Sequence, residues 1–312
     1  MKIAYLISAY TNAPHLGELV DALYTEDSYF FIHVDKKVDI NPFKESTMGR
    51  KHISYVEERH RVAWGGWSQV LTQITLIKNA KESGIDFGYF FFISGQDYPV
   101  WSNARISEYL SSIGDKELIC AKNLCEANKK QRVTYTTIRP FNDYPLRPHT
   151  PKSICRVILR KVIKLLGFRK KLEFDADGHH YQLYKGSDWF GFSPRLADFV
   201  LDRWRHSTEL KKYYKTSFVP SETFIHTLVF NSEYRDKCVL REGDASFNDI
   251  TLLTFVDYGK QIKILDESDY DRIIKSDKIF CRKVVTGDSD KLKGMIDTYR
   301  TKKSNRNNKD TL

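Results

Sequence analysis

Six short blocks hold the residues of this chain best suited to chemistry: HVDKK (33–37), VAWGGWSQV (62–70), FFFISGQDYPV (90–100), GSDWFGFSPRL (186–196), VPSETFIHTLVF (219–230) and FCRKV (280–284). In the fifth, Pro220 and Ser221 read as a helix start and place Glu222 in the first turn, where the helix dipole favours an ionised carboxylate. Aimed into a pocket, such a group is a competent general base. In isolation the same acid reads as an ordinary capping-box-like residue. Asp35 ends a strand, where it could accept hydrogen bonds from a ribose or a uracil, or cap a turn between solvated lysines. Trp64, followed by Gly65 and Gly66, suits stacking on a nucleobase or sugar, although a tryptophan there also packs in a core. Gly95 lets backbone approach closely, and Asp97 could cap a turn or bind a hydroxyl. In an extended FCRKV, Arg282 and Lys283 point to opposite faces, so one could reach a diphosphate while the other meets solvent. Alone, such a pair means only surface charge.

The elements that must position these residues are legible as patterns. Residues 2–8, 29–34, 52–56, 89–93 and 117–121 are short runs rich in β-branched and aromatic residues, as buried strands require. After Asn12 and Pro14, a cap and first turn, Leu16, Leu19, Val20 and Leu23 recur at helical spacing, and Trp67, Val70, Leu71, Ile74 and Ile77 mark a second helix. Strands alternating with helices predict a parallel-rich α/β sheet, which binds ligands beyond the carboxyl ends of its strands. Three exits, Ser8–Tyr10, His33–Lys36 and Ser94–Pro99, are polar. We read residues 1–300 as a single domain, with a first αβ half at 1–121, an insertion at 122–180 and a second αβ half at 181–300, followed by a polar tail, 301–312, expected to fray.

Composition sets outer limits. With 41% apolar and 13% aromatic residues in 312, the chain can bury a large core. No run approaches the roughly 18 apolar residues that span a bilayer, and the N-terminus lacks a signal-peptide pattern. Five scattered cysteines without CxxC pairing fit a reducing compartment, so a cytoplasmic protein, soluble or peripheral on the membrane's inner face, is expected. The net charge of +10 is local: residues 152–171 carry eight bases and no acid. On a helical wheel Ile154, Val157, Ile158, Val162, Leu165 and Leu166 share one side, while Lys152, Arg156, Arg160 and Lys164 run along the other. That is an interfacial amphipathic pattern, suited to an anionic membrane. The other reading is a helix packed on the core with a solvated basic face.

Together and in this order, the six blocks resemble the core-2/I-branching β-1,6-N-acetylglucosaminyltransferase and peptide O-xylosyltransferase family, glycosyltransferase family 14, from Lys2 to about Val284. The resemblance implies a GT-A-like, Rossmann-related catalytic domain with a mostly parallel central sheet, in which 1–121 is the nucleotide-binding half and 181–300 the acceptor-side half. It also implies inverting transfer of a sugar, N-acetylglucosamine or xylose, from a UDP donor to a glycan hydroxyl, without cofactor or metal. It places Glu222 as the catalytic base, Ser8, Asp35, Trp64, Lys283 and Arg282 at the donor, and Asp97, Asp188 and Trp189 at the acceptor. Partners would be a UDP-sugar and a glycan or lipid-linked glycan, with bacterial surface polysaccharide as the product. The chain departs from the pattern at LTFVDY, with Thr254 where an arginine is expected and Tyr258 for a tryptophan, so that Arg282 or Arg241 would have to replace the arginine. Asp175–Asp177 mimic a metal-binding DxD. Two other classes fit parts of the chain. One is a nucleic-acid-binding protein using 152–171, disfavoured by aliphatics interleaved with the bases. The other is a non-catalytic glycan-binding relative, against which Glu222 and Lys283 both speak.

Overall fold

The computed structural model describes residues 1–146, 149–259 and 261–307 of the chain. The first half runs β1 (Ile3–Ala9), α1 (Ala13–Leu23), β2 (Ser28–Val34), α2 (Asn41–Ser46), β3 (Ile53–Tyr55), α3 (Trp67–Glu82), β4 (Tyr89–Ser94), β5 (Asp97–Pro99), α4 (Asn103–Ser112) and β6 (Cys120–Asn123). Next come α5 (Lys129–Tyr135), α6 (Pro151–Leu165), β7 (Glu173–Ala176), β8 (His179–Gln182), β9 (Tyr184–Gly186), β10 (Phe190–Phe192), α7 (Pro194–His206) and α8 (Glu209–Tyr214). The chain then forms α9 (Phe224–Phe230), β11 (Val239–Arg241), α10 (Phe247–Ile250), β12 (Thr254–Val256), α11 (Tyr270–Ser276), β13 (Phe280–Arg282) and α12 (Asp290–Asn307).

The central sheet has the order β10-β4-β1-β2-β3; β1 to β4 are parallel and β10 is antiparallel. The expected α/β class with a mostly parallel sheet is what forms. Its inner strands β1, β2 and β4 are mostly apolar because both faces are covered. Ala4 and Leu6 of β1 join Phe90 and Phe92 of β4 in a core beneath α3, α7 and α9. Ile3, Tyr5 and Ile7 pack with Tyr89, Phe91 and Ile93 against α1, α4, α11 and α12. Asn12 caps α1 through its side chain, with Pro14 in the first turn, as its spacing predicts.

Besides a two-stranded sheet of β7 and β8, two three-stranded sheets flank this frame. In one, β6 lies between β11 and β9; in the other, β13 lies between β12 and β5. The expected tail, 301–312, begins inside α12, which continues to Asn307; residues 308–312 lie outside the described residues. One expectation is corrected. The basic segment forms α6, but neither does its apolar side pack on the core nor are all its bases solvated: Ile154, Ile158 and Leu165 are exposed, while Arg156 and Arg160 turn inward.

Candidate active site

The carboxyl ends of β1, β2 and β4 open into a cavity of about 850 Å³, within the range of small-molecule sites. Ser8 and Ser94 line it from two strand ends. Asp35, just beyond β2, caps a turn at the edge of the cavity. It lines the cavity, and its carboxylate accepts the Lys37 and Val62 N–H groups at 2.9 and 3.3 Å while pairing with Lys37 Nζ at 3.2 Å. Of the two tryptophans in WGGWS, Trp64 stands 75% exposed at the cavity wall and Trp67 is core, stacked on Trp204. Of the two glycines between them, Gly66 leaves room for a carboxylate: a Cβ there would sit 2.3 Å from Asp143 Oδ1 and displace it. That carboxylate caps α3, accepting the Trp67 and Ser68 N–H groups at 2.9 Å each.

Glu222 lines the same cavity, but not from the first turn of α9. It closes a separate 3-10 turn, Pro220–Glu222, and α9 begins at Phe224. A cation replaces the expected dipole: Lys185 Nζ lies 2.9 Å from Glu222 Oε2, and the Tyr135 hydroxyl donates to the same oxygen at 3.3 Å. The turn is held at Val219, whose φ of 46° is costly for a β-branched residue. Its N–H bonds the Gly65 carbonyl at 3.1 Å, tying the carboxylate to the WGGW loop. Asp188 faces the cavity beside Trp189. Burial, then the charge of Glu222, pushes its pKa up from 3.8 to about 7.

The cations come from the flanking sheets. Lys122 of β6 sits directly opposite Lys185 of β9, so the antiparallel register puts two like charges side by side on one face. Both are buried, and both line the cavity. Like charges in this position are unfavourable unless something offsets them. Glu222 does so for Lys185, while Lys122 donates to the Ala245 carbonyl, and burial and then Lys185 lower its pKa. Arg282 reaches the cavity from β13, lying 4.9 Å over the Trp189 ring and bonding Asp97 Oδ1 at 3.0 Å.

Asp97 is fully buried behind that guanidinium, away from the cavity wall, and its other oxygen accepts the Ser94 N–H at 2.8 Å. The acceptor contact expected of it is therefore corrected: Asp97 positions Arg282. Burial raises its pKa, and Arg282 opposes the rise. Lys283, the residue after β13, is half-buried and not among the lining residues. Arg241 also lies off the wall. Thr254, at the position where an arginine is expected, is buried with its hydroxyl unpartnered, while Arg282 of the adjacent strand lines the cavity.

Asp177 of the DxD-like triplet caps α8, accepting the Thr208, Glu209 and Leu210 N–H groups at 2.8, 2.9 and 3.0 Å. Asp175 pairs with His180 at 2.9 Å. Among the described residues no three His, Cys, Asp or Glu side chains converge as metal ligands. Sequence reasoning missed Lys122, Lys185 and Tyr135, whose places depend on cross-strand register and on a helix of the insertion. Five cations, Lys37, Lys122, Lys130, Lys185 and Arg282, thus share the cavity with Asp35, Asp188 and Glu222.

The fold and this wall define an α/β protein with a ligand cavity at its strand ends, where carboxylates stand among fixed cations. The chain matches the sequence model of the Core-2/I-Branching enzyme over residues 3–259 and belongs to that family. A xylosyltransferase of Ciona intestinalis is 26% identical over 240 residues, which are 75% of this chain and 25% of the relative. Human xylosyltransferase 1 is 25% identical over 246 residues, 77% of this chain and 23% of its own length. The chain therefore spans about a quarter of these relatives. Among solved structures, the 4-diphosphocytidyl-2C-methyl-D-erythritol synthase of Anaerococcus prevotii is 14% identical, with a TM-score of 0.38, over 80% of this chain and 90% of its own.

Proposed function

We propose that the protein is an inverting, metal-independent glycosyltransferase that moves a sugar, N-acetylglucosamine or xylose, from UDP to a hydroxyl of a glycan. The observation that carries this reading is Glu222, a cavity carboxylate paired with Lys185 and fixed by Tyr135, in a wall that also presents Arg282. The uridine lies along Ser8 and Asp35 with Trp64 beside it, and the acceptor enters near Asp188 and Trp189. Glu222 takes the proton of the acceptor hydroxyl as its oxygen attacks the anomeric carbon from the face opposite UDP. The bond to the β-phosphate oxygen breaks, and UDP leaves with the electron pair, so one displacement inverts the configuration. Arg282, with lysines of the same wall, stabilises the charge growing on the diphosphate, a task suited to preorganised cations in a shielded site. The reaction takes place on the cytoplasmic side, in surface-polysaccharide synthesis.

The test is thermal shift or calorimetry with a panel of UDP-sugars, UDP alone as reference, in EDTA. Stabilisation by one UDP-sugar without metal supports the reading and identifies the donor. Binding only after manganese is added would overturn metal independence, and no binding at all would overturn the transferase reading.

A further inference from the structure

The outward face of α6 has no partner among the described residues. Ile154, Ile158, Val162, Leu165 and Leu166, with Phe168 just beyond the helix, are between 44% and 87% exposed, and only Ser153 of the helix is buried. A surface helix ordinarily turns such a stripe inward. Here the inward side is polar. Arg156 donates to the Phe141 and Tyr144 carbonyls at 3.1 and 3.2 Å, and Arg160 to the Pro140 carbonyl at 2.9 Å and Asn142 Oδ1 at 3.0 Å. Two arginines one turn apart thus mount the helix on the loop before it and hold its apolar side outward. Around that side stand the exposed Lys152, Lys161 and Lys164, and no acid occurs from 152 to 171.

We infer that α6 is a membrane-docking surface whose occupant is an anionic bilayer, with the apolar stripe in the acyl boundary and the lysines on lipid phosphates. Such a surface matches both features at once: aliphatic side chains enter the interface while lysine stems extend along it to the headgroups. A second copy would bring the same cations face to face. A nucleic-acid backbone would meet aliphatics where it needs charge, with two of the arginines already spent on carbonyls. The mounting loop also reaches the cavity, since Asn142 donates to the Trp64 carbonyl at 3.4 Å and Asp143 caps α3. The helix is therefore fixed beside the cavity mouth. This inference does not depend on the transferase reading.

The experiment is co-sedimentation of the full chain with vesicles of phosphatidylcholine alone, or of phosphatidylcholine carrying phosphatidylglycerol. Two variants, Ile158→Gln/Leu165→Gln and Lys152→Gln/Lys161→Gln/Lys164→Gln, are compared with the parent. The parent should pellet with the anionic vesicles and much less with the neutral ones. The lysine variant should bind about a hundredfold more weakly, from the loss of three basic contacts, and the apolar variant at least about tenfold more weakly. Melting temperature and elution volume should stay at the parent values, since every changed side chain is exposed. A parent that stays in the supernatant, or variants that bind as well as the parent, would overturn the inference. So would a dimer that Ile158→Gln/Leu165→Gln dissociates, because the occupant would then be a second copy.

Discussion

Glu222 and Asp188 share one cavity in different surroundings, so they should respond differently to substitution and to pH. Glu222→Gln keeps the shape and removes the base, so turnover should fall by about 10² to 10⁴ with UDP affinity nearly intact; unchanged turnover ends its role as base. Asp188 has a folded-state pKa of about 7 against an ordinary 3.8, so between those values the folded chain keeps a proton that the unfolded chain has released. Its contribution to stability is complete below pH 4 and is lost as pH rises through 7. The melting temperature of Asp188→Asn relative to the parent should therefore climb from pH 4 to pH 8, and a constant difference would show that Asp188 is not perturbed. Arg282→Ala strands the buried Asp97 carboxylate, a loss of about 3–5 kcal/mol in denaturant unfolding. Replacing both, as Arg282→Met with Asp97→Leu, should recover much of that stability without recovering UDP binding. At this scale Glu222 was legible because a Pro-x-Glu turn is local. Lys185 and Tyr135 were not, because their contacts with it bridge 37 and 87 positions of chain.

Elements were easier to read where a face had only one place to go. The apolar runs of β1, β2 and β4 and the helical spacing of α1 and α3 allow few arrangements, and each forms where its pattern lies. The pattern of α6 was just as clear, yet amphipathicity does not say which side docks; carbonyls left free by an irregular loop decided it. Nor does a Pro-Ser-Glu start distinguish the first turn of a helix from a short 3-10 turn before one, which is how Glu222 came to depend on a lysine. The cap on α3 offers a test at this level. Asp143→Ala removes an acceptor shared by two helix N–H groups and should cost about 1–2 kcal/mol. It also frees the loop beside Trp64, so KM for the donor should rise more than kcat falls; an unchanged KM would separate that loop from the site.

For the molecule as a whole, the family match ends at residue 259, whereas the structure does not. Leu265, Ile273, Phe280, Leu292 and Ile296 all lie in the core on one side of the central sheet, and Arg300 donates to the carbonyls of Ala22 and Trp101. A chain cut after residue 259 loses β13, Arg282 and that packing. It should show no cooperative thermal transition, and a normal one would make the last fifty residues an appendage. The parent, with a UDP-sugar at a hundred times its Kd, should gain about 2.7 kcal/mol of stability.

The cavity wall is assembled from several parts of the chain. Its floor is strand ends of a sheet packed on both faces, while Asn128, Lys130, Gln131, Thr134 and Tyr135 come from the excursion between β6 and β7. Tyr135, which donates to Glu222, belongs to that excursion, so a change in its length or sequence would alter the surroundings of Glu222 together with the shape of the cavity.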